Sequence, residues 1–155
     1  RLGLQCVRTR TGDAANLQDA FAPETFDRIL LDAPCSGLGV IRRKPDLKWV
    51  KNETEIAALS AIQQRLLTSL APLLKPGGIM VYSTCTTERE ENAQVVEAFL
   101  EQHSNFEWAP WEFENEDPRR KLLENAIART QHLGMMQILP HDFQSDRFFI
   151  ARLRK

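Results

Sequence analysis

Cysteine is scarce in this chain of 155 residues, with three in all: Cys6, Cys35 and Cys85. An odd number at no metal-ligand spacing argues against a disulfide framework and against a metal site, so free thiols are expected. No apolar stretch approaches the roughly 18 residues of a membrane span, and the amino terminus lacks a signal peptide's basic, apolar, small-residue order. A soluble, cytosolic protein is therefore the expectation. Excess charge is missing too. The net charge of -1 provides no global pull toward nucleic acid, so any RNA or DNA contact has to rest on a local patch. No low-complexity linker divides the chain, and 43% hydrophobic content suffices for one cored domain, or part of one.

Two short apolar runs organise what is there. Arg28-Ile29-Leu30-Leu31 breaks into Asp32-Ala33-Pro34-Cys35-Ser36-Gly37, and Met80-Val81-Tyr82 breaks into Ser83-Thr84-Cys85-Thr86. Apolar runs this short, bounded by turn residues, have the pattern of parallel strands buried on both faces. Between them, Ile56, Leu59, Ile62, Leu66, Leu70 and Leu73 recur at helical spacing, which predicts a helix over 53–74 capped by Asn52 or Thr54. Lys75-Pro76-Gly77-Gly78 then turns the chain into a strand over 79–83. Strand, helix, turn, strand is a βαβ unit, whose chemistry collects beyond the carboxyl ends of the strands. Asp32, Cys35 and Cys85 are thus expected at one end of one sheet.

The flanking segments are read in the same way. Residues 4–10 alternate and predict a strand ending near Asp13, which is either a turn or cap residue or a carboxylate at the rim of a cofactor cleft. The basic loop carrying Arg42, Arg43, Lys44 and Lys48 is either a solvated surface or a phosphate-contacting patch anchored by Trp49. Thr87-Glu88-Arg89-Glu90 has the form of a capping box. That would put Cys85 at a helix amino terminus, where a thiolate is favoured. Residues 106–108, 135–139 and 148–153 suggest strands and 115–131 a charged helix. His103, His132 and His141 share no metal spacing and are expected at the surface, and Cys6 is expected to be an inert strand residue.

Taken in order, Asp32-Ala33-Pro34-Cys35-Ser36-Gly37, Arg43-Lys44-Pro45-Asp46 with Trp49, Leu74-Lys75-Pro76-Gly77-Gly78, Tyr82-Ser83-Thr84-Cys85-Thr86 and Asp146-Arg147-Phe148-Phe149 resemble the Sun/RsmB type of the NOL/NOP/Sun RNA cytosine methyltransferases. The resemblance implies a Rossmann-like, S-adenosylmethionine-dependent α/β sheet, lacking its first strands, with the last strand antiparallel. Residues 1–155 would be the carboxyl-terminal portion of the catalytic domain. It further implies methylation of carbon 5 of a cytosine in RNA, 16S ribosomal RNA before transfer RNA. Cys85 would be the nucleophile and Cys35 would assist product release. Asp13 and Asp32 would serve the cofactor, Asp32 would also steady the cytosine, and Arg42, Arg43 and Lys44 would hold the RNA backbone. DNA cytosine methyltransferases attack with the cysteine of the Pro-Cys pair, so the presence of both cysteines points to the RNA class. Neither the family's glycine-rich cofactor loop nor its acidic ribose ligand precedes Asp13 here. Arg147 stands where the family usually has glycine. The rival expectations are a thiol hydrolase or a DNA enzyme, and a non-catalytic fragment that dimerises through exposed sheet edges, the last separable by sedimentation at several concentrations.

Overall fold

Phe26–Asp32 forms β1 and Leu74–Thr84 forms β2, paired in parallel from Arg28↔Ile79 to Asp32↔Ser83. The computed structural model describes residues 3–50, 52–114 and 116–155, with the side chains of residues 48 and 50 outside the described set. Between the two strands run a short helix α1, Leu47–Val50, and the crossover helix α2, Glu53–Leu70. The chain continues through α3, Ala93–Gln102, β3, Glu107–Trp108, α4, Arg120–Ala128, and β4, Met135–Ile138. It closes with α5, Pro140–Phe143, and β5, Phe148–Arg154. The sheet order is β1-β2-β5, with β3 and β4 both on the far side of β5, and every pairing of β5 is antiparallel. The expected mixed α/β sheet with an antiparallel last strand is what forms.

The core lies where α2 and α3 cover β2 and β5. Leu66, Leu67 and Leu70 of α2 and Val95, Val96 and Phe99 of α3 meet Met80, Tyr82, Ala151 and Leu153 of the sheet. Each large apolar side chain removed from water there contributes on the order of 2 kcal/mol. Asn52 caps α2 as expected, its side chain accepting from Glu55 N at 3.0 Å.

Several boundaries depart from the sequence pattern for identifiable reasons. Residues 4–10 form no strand and are exposed, because a strand needs a ladder partner and the outer edge of β1 carries none among the described residues. Helix α2 stops at Leu70 rather than 74, since Pro72 lacks the N–H that another helical turn requires, and Ala71–Leu73 tightens into a 3-10 turn. Strand β2 then begins at Leu74 and runs through Pro76 and Gly77, where the register slips against β1. Pro is tolerated at such an irregularity, and Gly77 takes the left-handed φ of 74° that the turn imposes.

The capping box at 87–90 does not form. Arg89–Glu91 is a 3-10 turn, and α3 starts only at Ala93, with the Asn92 side chain bonded elsewhere than to the helix. Helix α4 is shorter than its expected span of 115–131, and Asn115 lies outside the described residues. The histidines are not uniformly superficial. His103 is half-buried and stacks on Phe99 with ring centres 4.2 Å apart, and His132 packs on Trp108 at 4.3 Å, whereas His141 is exposed. No helix among the described residues is long and apolar enough to cross a membrane.

Candidate active site at the ends of two parallel strands

Because β1 and β2 are parallel neighbours, the residues that follow each of them emerge side by side. Ala33 N donates to Ser83 O at 2.9 Å, carrying the ladder one step past β1. Asp32 is exposed at the strand end and accepts from Ser83 Oγ at 3.2 Å. Three residues on, the Cys35 Sγ lies 3.3 Å from the Cys85 Sγ and also accepts from the Cys85 backbone N–H at 3.3 Å. Both are free, half-buried thiols. Burial above all, and then the neighbouring Cys85 thiol, hold the Cys35 pKa well above the usual thiol value, with the Cys85 N–H pulling weakly the other way. Cys35 therefore keeps its proton at neutral pH.

The remaining expected site residues are scattered around this centre. Asp13 is committed locally, its Oδ1 accepting from Ala15 N at 2.9 Å and its Oδ2 from Asn16 Nδ2 at 3.1 Å, as the cap of the 3-10 turn Ala14–Asp19. Arg42, Arg43 and Lys44 are exposed on the loop after the 3-10 turn Leu38–Val40. The Arg43 guanidinium is paired with Asp146. Trp49 is 79% exposed on that loop, and the Lys48 side chain lies outside the described residues. Cys85 does not sit at a helix amino terminus, since the turn Arg89–Glu91 intervenes before α3. Cys6 is exposed and lies in no strand. Among the described residues there is no group of three or more metal-ligating side chains.

With this arrangement in view, comparison with known proteins is decisive about kinship. The family model described as 16S rRNA methyltransferase RsmB/F matches residues 1–154. The chain belongs to that family. The protein named "Probable ribosomal RNA small subunit methyltransferase B" of Bacillus subtilis (strain 168) is 46% identical over 155 residues, covering all of this chain and 33% of that protein. Ribosomal RNA small subunit methyltransferase B of Serratia proteamaculans is 40% identical over 149 residues, 96% of this chain and 31% of that protein. The crystal structure of NSun6 from Pyrococcus horikoshii with SFG superposes with a TM-score of 0.75 at 30% identity, covering 99% of this chain and 36% of that one. The chain thus spans about a third of the length of the curated relatives it matches.

In this RsmB/F chain the thiols rest on residues that the sequence pattern did not single out. Gly39 N donates to Cys85 O at 2.9 Å, and a Cβ on Gly39 would lie 2.6 Å from that same oxygen, so only glycine admits this approach. Ser36, Gln63, Thr84, Thr86, Glu91 and Asn92 form a buried polar cluster beneath the pair. A carboxylate and two amides spread over α2 and the turn before α3 carry no local pattern, and only the fold gathers them.

Proposed function

We propose that the full-length protein methylates carbon 5 of a cytosine in RNA, small-subunit 16S ribosomal RNA in the first instance, and that it does so in the cytoplasm. Family membership and the names of the relatives support a ribosomal RNA substrate. The related NSun6 structure, solved with the S-adenosylmethionine analogue SFG, supports that cofactor. S-adenosylmethionine supplies an electrophilic methyl group on a sulfonium. Of the two expected cofactor carboxylates, Asp32 fits such a group: it is exposed at the strand end and commits one oxygen to Ser83. Asp13 has both oxygens engaged within its own turn.

The observation that carries the reading is the 3.3 Å contact between the Cys35 and Cys85 sulfurs in the segments that follow two parallel strands. Carbon 5 of cytosine is a weak nucleophile until a thiolate adds to carbon 6 and makes the ring an enamine. Cys85 is assigned that addition. Asp32 steadies the adduct by hydrogen bonding to the ring nitrogen or amino group. Once the carbon 5 proton is removed by a base, the carbon 6–sulfur bond breaks and the ring double bond returns. Cys35, protonated and in contact with the leaving sulfur, is placed to hand it a proton. The target base must be unstacked to reach the thiols, at a cost of a few kcal/mol that is least in a single-stranded loop. Arg42 and Lys44, with Arg43 where it can exchange Asp146 for a phosphate, hold the RNA backbone meanwhile.

The test uses full-length protein, cofactor, and both 16S and transfer RNA from a strain lacking the enzyme. Cys85→Ala is expected to abolish methylation of the ribosomal RNA, and Cys35→Ala to accumulate a covalent protein–RNA adduct. The reverse pattern would move the nucleophile to Cys35, and modification of transfer RNA alone would replace the substrate.

A further inference from the structure

The buried cluster under the thiols is arranged as two brackets. Around Cys35, the residue before it is held by Gln63, whose Nε2 donates to Pro34 O at 2.8 Å. The residue after it is held by Glu91, whose carboxylate accepts from Ser36 N at 2.8 Å and from Ser36 Oγ at 2.5 Å. Gln63 Nε2 also donates to Glu91 Oε1 at 3.1 Å, which closes the bracket. Around Cys85, a single side chain does the same. Asn92 Oδ1 accepts from Thr84 Oγ1 at 2.5 Å, and Asn92 Nδ2 donates to Thr86 O at 3.2 Å. Glu91 is fully buried and Asn92 nearly so, and the main chain between them is pinned by Tyr82, whose hydroxyl donates to Glu91 O at 2.6 Å. The two brackets also touch, through a 2.9 Å bond between Ser36 Oγ and Thr86 Oγ1.

We propose that Glu91 and Asn92 are the positioning residues of the thiol pair, Glu91 setting Cys35 and Asn92 setting Cys85, so that two adjacent residues hold the sulfurs in register. Neither side chain bonds to a sulfur, and each acts through the neighbours of its own cysteine. A buried carboxylate whose partners are backbone and side-chain donors is costly to retain for stability alone. Its placement on both donors of Ser36 gives it a task at that loop. Asn92 occupies the position before α3 where its side chain would ordinarily cap the helix, yet it is spent on the strand end instead.

Selectivity separates positioning from general stability. In the full-length protein, iodoacetamide alkylation of each cysteine is followed by mass spectrometry in Glu91→Leu, Asn92→Leu, Glu91→Gln and Asn92→Asp. Glu91→Leu is expected to speed Cys35 alkylation about tenfold, the change that follows from losing roughly 1.4 kcal/mol of hydrogen bonding, with Cys85 nearly unchanged. Asn92→Leu is expected to do the converse, and Glu91→Gln to restore most of the Cys35 protection. Parallel changes at both thiols in every variant, or no change at either, would overturn the proposal. If a leucine variant does not fold, Glu91→Gln against Asn92→Asp carries the same comparison at smaller amplitude, and equal effects there overturn it as well. The link to catalysis rests on the proposed function. Glu91→Leu should then accumulate RNA adduct and Asn92→Leu should form less of it. Selective alkylation without adduct in either variant would uphold the positioning and reject the reaction.

Discussion

The surroundings of Cys35 act directly on its thiol. The Cys35 thiol is held well above its usual pKa by burial and by the Cys85 thiol beside it. The folded chain therefore binds this proton more tightly than the unfolded chain does. The resulting stabilisation is complete below the ordinary thiol range, about 8.5, and is lost as the pH rises toward the folded value. Urea unfolding of the wild type should accordingly lose more stability than Cys35→Ala between pH 8 and pH 10, on the order of 1 kcal/mol per pH unit above the unfolded pKa. Equal slopes for the two proteins would assign the pH dependence to other groups.

At the scale of elements, the end of α4 is tied to α5 by one ion pair. Arg129 donates from Nη1 and Nη2 to the Asp142 carboxylate at 2.6 and 2.7 Å, and Leu139 N donates to the same carboxylate at 2.8 Å. The Arg129 guanidinium, as the main cause, holds the Asp142 pKa below the usual carboxylate range. This pair stabilises the protein fully above the unfolded carboxylate value, and the contribution disappears as the pH falls through the lowered folded value. Asp142→Asn should cost about 2 kcal/mol near neutral pH, the scale of a charge-assisted hydrogen-bond set left without its carboxylate. Chemical denaturation at pH 7 and pH 3 checks it: the difference between variant and wild type should shrink at the lower pH. A constant difference would mean that the loss lies in packing.

For the molecule as a whole, the outer edge of β1, unpaired among the described residues, is the feature of most consequence. Leu30 on that strand is 71% exposed, and residues 4–10, which alternate like a strand, find no ladder there. The other carboxylate expected to serve the cofactor, Asp13, turns into its own cap in these surroundings. We expect the 155-residue chain alone to bind S-adenosylmethionine more weakly than micromolar, because Asp13 spends both carboxylate oxygens within its own turn and Asp32 commits one to Ser83. Calorimetry yielding a micromolar constant would refute this and make Asp32 and its neighbours a sufficient site.

Sequence alone determined the parallel pair β1 and β2, the crossover helix between them and the meeting of Asp32, Cys35 and Cys85, because apolar runs with turn punctuation are local signals and parallel pairing brings equivalent strand ends together. It also carried the kinship, since several motifs in order are specific even where each alone is weak. Only the tertiary structure decided that residues 4–10 are not a strand, that α3 begins at Ala93 rather than just after Cys85, and that burial raises the pKa of the Cys35 thiol. It alone gathered Gln63, Glu91 and Asn92 beneath the thiols. Ladder partners, desolvation and hydrogen bonds between distant residues depend on which surfaces meet, and no local pattern in the chain encodes that.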